Sequence, residues 1–574
     1  MNPDKLITRL LPTLYEDEHL LAVAKPAGVD SGGLEEQTWA GLVELLPAMR
    51  GKKETLIAAN RLSRYESGVL ILAKNESAAN AIRVQIRSSR VVQEYVAVVL
   101  GRMSKSSLMI GVEHGTSEGR RGAARRDVAR STSSKSAAVK ARPTVSPRAG
   151  AAGTPAGPTT LSALRAGDKR TLLRIQTRVP TTHALRAQLR SVRLRLLGDL
   201  IQNQTNRPMR HAMTCLHLTR IGFQHPVTRK PISVHCPPPP AFADVVEGGA
   251  DPLRPLYAAL VRRLSCFTSN ETDALRLLSG DVEDVRGVIA EKFGDVVVLQ
   301  VLREGAASIP LLKQYAKWYR DWIGARTVYA KWNVRDRSDS SDGPRARSDE
   351  GVDDATLLLG KESPQEFEIR ENGVRFLVRP AEQAVGLFLD QRENRARIRE
   401  NAAGKDVLNL FAYTCGFSLA AAVGGARSTV SVDLSPQPLA WGRANFDLNE
   451  IAVGTHEFLQ GEAFEFLRRA RDAARAFDIV VLDPPTFAHG RRKQRDFSVR
   501  RDLGELVSAS AGVLRPGGVM LVSTNLRSFA LAAIRDQIRR GVNRRRFEVL
   551  ETPSLPPDFA VDPDHAKTVL LRFS

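Results

Sequence analysis

Cysteine is scarce in this sequence, and the few present never gather. Cys215, Cys236, Cys266 and Cys415 are scattered without CxxC spacing through 574 residues, which excludes a zinc cluster and a disulfide framework and leaves reduced thiols. No apolar run reaches the roughly 18 residues a bilayer demands, so no membrane partner is expected. The stretch Met1-Asn-Pro-Asp-Lys-Leu6 has no signal-peptide pattern, and a soluble cytoplasmic protein is the expectation. Acidic residues are also short, 63 Asp and Glu against 84 Lys and Arg, for a net charge of +21. An excess of that size points to a polyanionic partner.

The chain is too long for one core, and at about 150 residues per domain three or four are expected. One segment cannot contribute to any of them. Between Arg102 and Gly150 eleven Lys or Arg stand against three acidic residues, and small, turn-forming residues continue through Ala151 to Pro158. A basic disordered insertion over about 103–168 is expected, either adding nonspecific phosphate contacts or merely solvated. Arg335 to Asp354, with alternating charge, reads as a polar loop, and Pro237-Pro-Pro-Pro240 as a stiff boundary.

The chemistry is concentrated between Val407 and Phe487. Asp406-Val-Leu-Asn-Leu410 has the pattern of a buried strand, followed by the turn Phe411-Ala-Tyr-Thr-Cys-Gly-Phe-Ser418, whose one glycine, Gly416, would let backbone approach a ligand before a helix from Leu419. A second strand, Ser428 to Val432, ends in Asp433, the place where a doubly wound sheet puts a carboxylate for ribose hydroxyls. A third leads to Gln460-Gly-Glu462, and a fourth, Phe477-Asp-Ile-Val-Val-Leu482, delivers Asp483-Pro-Pro-Thr-Phe487. Strand, glycine turn and strand is common in α/β proteins and says little alone. Two prolines are more specific: they end the ladder and fix a turn that points Asp483 and a backbone carbonyl outward together. Such a paired acceptor suits an amino or ring nitrogen of a flat base, with Phe487 to stack on its face. Methyl transfer to a nucleic-acid base is implied, an in-line displacement whose rate comes mostly from positioning.

These residues also carry a resemblance. Gly386-Leu-Phe-Leu-Asp-Gln-Arg392, Asn409-Leu-Phe-Ala-Tyr-Thr414, Ser431-Val-Asp-Leu-Ser435 and Asp483-Pro-Pro-Thr-Phe487 make the region from about Asn270 onward similar to bacterial large-subunit ribosomal RNA methyltransferases. That family uses S-adenosyl-L-methionine and includes enzymes that make 5-methylcytosine and enzymes that make 7-methylguanine. The resemblance implies that Phe411, Tyr413, Thr414, Gly416 and Asp433 line the cofactor together with Leu434, Ser435, Glu462 and Ala463. It implies that Gln391 and Arg392 close over the cofactor and that Asp483, Pro484, Pro485 and Phe487 form the catalytic turn. Glu462 stands where Asp is usual, a tolerated change if the longer carboxylate still reaches the adenine.

A second departure concerns the product. Methylating carbon 5 of cytosine needs a thiolate that adds to the ring, because the carbon is not nucleophilic otherwise. The relatives that do this carry the cysteine just after the fifth strand. Here Gly518-Val-Met-Leu-Val522 runs into Ser523-Thr-Asn-Leu-Arg-Ser528. Cys415, in the cofactor turn, reads more simply as a small apolar filler than as a nucleophile. A ring or exocyclic nitrogen needs no covalent step, and the segment Asp483 to Asp502 resembles the 7-methylguanine branch. Nitrogen methylation is the expectation.

The front of the chain resembles a different family. Asn60-Arg-Leu-Ser-Arg-Tyr-Glu-Ser-Gly-Val-Leu-Ile-Leu-Ala-Lys74, with Thr182-His183, Arg186, Gly198-Asp199 and Leu216-His-Leu through Val227, is similar to RluA-type pseudouridine synthases. In that family the tripeptide Arg61-Leu-Ser63 ends in a catalytic Asp. A serine hydroxyl without a general base replaces it poorly. Asn60, Ala184, Gln188 and Leu200-Ile-Gln-Asn203 depart too, so lost isomerase activity is expected, with Arg61 and Tyr95 left to hold a phosphate and a base.

The expected architecture is multidomain α/β and α+β. Residues 1–245 form a mixed-sheet pseudouridine-synthase-like domain, 262–380 a small α/β module, and 381–574 a doubly wound, seven-stranded Rossmann-like methyltransferase domain closed by strands near Phe547 to Leu550 and Thr568 to Arg572. The expected activity is methylation of a 23S ribosomal RNA base, probed on free RNA or the large subunit, with no DNA partner and no resident metal. Alternatives are 5-methylcytosine formation, a bifunctional enzyme with a working isomerase, and a noncatalytic ribosome-assembly factor.

Overall fold

The computed structural model describes residues 3–32, 41–50, 53–103, 105–110, 158–198, 214–249, 252–267, 271–302, 306–332, 355–383, 385–488, 496–542 and 546–574. The basic stretch over 111–157, Asp199 to Asn203 and the polar loop Arg335 to Asp354 lie outside them. Two compact units result, one of Leu14–Lys25 with Ile57–Ala250, the other of Met1–Thr13, Pro26–Leu56 and Asp251–Ser574. The first 56 residues therefore serve both units. Within the second unit, Tyr257 donates its hydroxyl to the Leu10 carbonyl at 2.8 Å and Arg9 stacks 3.8 Å over Trp322.

The smaller unit is built on an eleven-stranded mixed sheet. Leu20–Lys25 pairs antiparallel with Ser67–Ala73, which lies parallel to the start of Leu216–Gln224. The sheet also takes in both edges of the expected insertion. Ser107–Ile110 pairs antiparallel with Thr159–Ala166, because Ile110 and Leu161 bury against the core, so the insertion is narrower than 103–168.

In the larger unit, Ala274–Ser279, Val288–Phe293, Val296–Val301, Thr327–Trp332 and Thr356–Leu359 form a five-stranded sheet. Its one parallel pair is bridged by the helix Ile309–Ile323, which buries Leu312, Tyr315, Ala316, Tyr319 and Ile323 at helical spacing and stops at Gly324 in the left-handed region. A hairpin, Phe367–Glu371 with Val374–Val378, follows. Its two-residue turn is Asn372-Gly373, both at positive φ, as the right-handed twist of a tight hairpin prefers. Phe376 and Val378 share one core with Cys415, Leu419 and Phe446 of the next layer.

That layer is a seven-stranded sheet of Asp406–Leu410, Ser428–Asp433, His456–Gln460, Phe477–Leu482, Leu514–Thr524, Phe547–Glu551 and Lys567–Phe573, in spatial order 3-2-1-4-5-7-6. The seventh strand is antiparallel to both of its neighbours. The central strands are apolar on both faces because helices cover both sides. The order reverses between the first and fourth strands, the point at which doubly wound sheets bind ligands at the carboxyl ends of their strands.

Candidate active site

The turn after the first strand is strained in a way the sequence did not advertise. Phe411, Tyr413 and Cys415, none of them glycine, have φ of 57°, 49° and 59°. Each costs of order 1 kcal/mol or more, and such outliers collect where a ligand is gripped. Gly416 is not the residue that bends. It opens the helix Gly416–Val423, three residues before the expected start, and a Cβ there would stand at ordinary contact distance from Arg395, Leu387 and Phe376.

The strain is fastened by Asp433. Its Oδ2 accepts from the Tyr413 amide and its Oδ1 from the Ser435 amide, both at 2.9 Å. A carboxylate has about four acceptor positions, so each oxygen keeps one beyond its amide. Ser435 ends the loop, and Pro436 starts the helix Pro436–Leu448 in the position proline favours. Thr414 and Tyr413 face the other way: the Thr414 hydroxyl donates to the Gly386 carbonyl at 2.5 Å and the Tyr413 oxygen accepts from the Gly386 amide at 3.1 Å.

Beside Asp433 lies a cavity of about 250 Å3 whose lining includes Phe411, Leu434, Glu462, Ala463 and Phe497. Glu462 caps the helix Ala463–Asp472, its Oε2 accepting from the Glu465 amide at 2.8 Å. Sequence reasoning missed Asp502 and Glu505, which add carboxylates to the same cavity. They lie one turn apart on the helix Val499–Ala511, and that spacing was the available signal.

The short strand that follows the Asp-Pro-Pro turn reaches the cavity through Ala488. Phe487–Ala488 pairs antiparallel with Phe497–Ser498, and the Phe497 ring packs 5.4 Å from Phe411. Phe487 itself is 43% exposed, as a stacking platform for a base must be. Asp483, at the tip of the fourth strand, is half-buried. Loss of water, and next the Asp390 carboxylate, push its carboxyl up to about 7, against the opposing pull of Arg395 and a hydrogen bond from Ser523. Gln391 places its Nε2 3.4 Å from Asp483 Oδ1 and 2.9 Å from Ser523 Oγ. Asn394 donates to Gln391 Oε1 at 2.6 Å and to Thr568 at 2.9 Å. Asn394, Ser523 and Thr568 were not foreseen as site residues.

Arg392 does not join this group. Its guanidinium is buried against the Ala274 carbonyl at 3.2 Å and pairs with Asp558, so it anchors the small sheet rather than closing over a ligand. Cys415 is sealed in the core, its thiol pushed up to about 12 by burial, and Gly442 is glycine because any Cβ there would strike that sulfur. Burial likewise pushes Cys266 up to about 12.

A strained loop gripped by a strand-tip carboxylate, an acidic aromatic-lined cavity and an acceptor turn at the switch point of a 3-2-1-4-5-7-6 sheet make one constellation. Residues 344–572 match the model of S-adenosylmethionine-dependent methyltransferases. The chain is 30% identical to the ribosomal RNA large subunit methyltransferase of Deinococcus radiodurans, over 55% of this chain and 78% of that one. It belongs to the ribosomal RNA large subunit methyltransferases. The K enzyme of Neisseria meningitidis is 33% identical over 46% of this chain and 72% of its own length. Residues 19–191 match the model of RNA pseudouridylate synthases, so this methyltransferase carries a pseudouridine-synthase-like domain in front. A solved structure, SMU.776 complexed with SAH, is similar at 27% identity and a TM-score of 0.49, over 61% of this chain and 86% of that one.

The site fits the cofactor of that family. Asp433 has acceptors for vicinal hydroxyls, and the carboxylates around the cavity suit a ligand that carries positive charge. S-adenosylmethionine supplies an electrophilic methyl group when bound. Among the chain's own residues, the side chains of Asp483 and Gln391 are held together with Ser523.

In the pseudouridine-synthase-like unit Arg61 and Ser63 are exposed, whereas Tyr95 is buried and donates its hydroxyl to Gln93 Oε1 at 2.9 Å. Tyr95 is therefore not at the surface where a base would be held.

Proposed function

We propose that this methyltransferase modifies a nitrogen of a guanine-type base in 23S ribosomal RNA, in the cytoplasm, with the front domain as a catalytically silent RNA-docking module. The observation that carries the nitrogen reading is Ser523. One residue before the end of the fifth strand its hydroxyl oxygen accepts from Gln391 and Thr568 beside Asp483, and the two thiols of this unit, Cys266 and Cys415, are held protonated by burial. The thiolate, not the thiol, is the nucleophile that adds to a pyrimidine ring, and Cys415 is in addition buried. Asp483 and its adjacent Pro484 and Pro485 then supply acceptors for the N–H groups of a purine edge, and Phe487 its stacking surface. The net charge of +21 supports an RNA partner.

The test is mass spectrometry of nucleosides from 23S ribosomal RNA after reaction with the full chain and labelled S-adenosylmethionine. A methylated guanosine is expected. Labelled 5-methylcytidine would overturn the nitrogen reading, and absence of any labelled nucleoside on free RNA and on large subunits alike would favour an assembly factor.

A further inference from the structure

The pseudouridine-synthase-like unit holds a buried charge cluster that the methyl-transfer reading does not use. The turn Ser63 to Glu66 leads into the strand Ser67–Ala73, and Lys25 clamps it, donating from Nζ to the Ser63 carbonyl at 3.1 Å and the Glu66 carbonyl at 2.7 Å. The Glu66 carboxylate is fully withdrawn from water. Its Oε2 accepts from the Ser63 amide at 2.8 Å, and its Oε1 pairs with Arg186 Nη2 at 2.5 Å. Arg186 comes from the helix Thr182–Ser191 and is itself 4% exposed.

The turn cannot relax elsewhere. Ser67 Oγ bonds His217 Nδ1 at 2.9 Å, and Gly68, at φ 122°, presses on the Leu218 backbone so closely that a Cβ would collide with it. Glu66 is thus fixed with both oxygens engaged, one on the guanidinium and one on the backbone of residue 63.

A buried guanidinium needs a counter-ion, and removing one partner of such a pair is strongly destabilising. Ser63, three residues earlier and exposed, supplies no charge. We propose that Glu66 is a relocated carboxylate: it provides the counter-charge of Arg186 from position 66, inside the protein, where position 63 would have offered it at the surface. The turn keeps its assembled shape, and at its exposed position 63 it presents a hydroxyl in place of a carboxylate. This rests on the reading of the front domain as silent.

A charge-relocation cycle on the full chain tests it, with thermal unfolding and a pseudouridine assay on 23S ribosomal RNA as readouts. Glu66→Gln keeps the shape and the acceptor for the Ser63 amide but removes the charge, and should lower the Tm of this unit by several degrees or leave the chain insoluble. Adding Ser63→Asp should recover at least half of that loss, which a merely shape-filling Glu66 would not allow. No recovery in the double variant overturns the relocation. Wild-type pseudouridine formation that Glu66→Gln abolishes would make Glu66 a reacting carboxylate and overturn the silent reading instead.

Discussion

Gln391 holds Asp483. Its side-chain amide reaches from the turn before the helix Arg392–Asn401 to the tip of the fourth strand, spanning Asp483 Oδ1 at 3.4 Å and Ser523 Oγ at 2.9 Å, with Asn394 fixing the amide orientation from behind. The prolines fix the backbone of the Asp-Pro-Pro turn but leave the Asp483 side-chain torsions free, and this contact holds the carboxylate. Gln391→Ala should therefore lower kcat by about 10- to 100-fold, the worth of one hydrogen bond to a charged group, while the Kd for S-adenosylmethionine stays within about threefold. Calorimetric titration and tritium transfer separate the two, and a loss confined to cofactor affinity would put Gln391 at the wrong ligand.

The pH dependence follows from Asp483. As an acceptor for base N–H groups it works ionised, and with its carboxyl pushed up to about 7, kcat/KM should climb with pH and level off above that value. Stability moves oppositely. The folded chain holds a proton that an unfolded carboxylate has already released, so this contribution is present at acid pH and lost as pH rises through about 7. Asp483→Asn should consequently unfold a few degrees higher than wild type at pH 8, with the difference shrinking as pH falls and gone below about pH 4, and should be inactive. A mutant as active as wild type would remove Asp483 from the chemistry.

Asp433 fastens the loop through two amides, and in the proposed reading it also takes the ribose of the cofactor. Asp433→Ala frees the Tyr413 and Ser435 amides and removes the ribose acceptors, and should weaken S-adenosylmethionine binding by roughly 10-fold or more with a parallel rise in KM. Unchanged affinity would mean that the cavity beside it is not the cofactor's.

Cys415 gives the opposite expectation. Cys415→Ala should leave the methylated product and kcat within about twofold and cost about 1 kcal/mol of stability, the price of a small cavity beside Gly442. Loss of more than about 100-fold in kcat, with folding intact by circular dichroism, would favour the alternative of 5-methylcytosine formation.

Docking by the front domain is tested at its exposed arginine. Arg61→Ala should raise KM for 23S ribosomal RNA by about threefold and reduce its salt dependence by about one counterion, with kcat and cofactor affinity unchanged. Equal KM at low and physiological salt would leave the domain without a docking role at this residue. Point variants are the right tool, since truncating the chain before residue 245 would also strip Met1–Thr13 and Pro26–Leu56 from the methyltransferase unit.

The sequence by itself determined the sheet. Apolar runs ending in Asp433 and Asp483, and the helix spacing over Ile309–Ile323, are local patterns that survive in any context, because strand and helix periodicities are written into neighbouring residues. It also determined that no cysteine follows the fifth strand. Only the tertiary structure decided which polar side chains meet. Gln391 and Arg392 are adjacent in sequence, yet one supports Asp483 and the other is buried on Asp558, since the first turn of a helix sends successive side chains about 100° apart. Ser523, Asn394 and Thr568 come from three separate elements and converge only when the fifth and seventh strands pair around that helix. Glu66 and Arg186 lie 120 residues apart, and only folding sets the two charges against each other where burial makes the pairing matter.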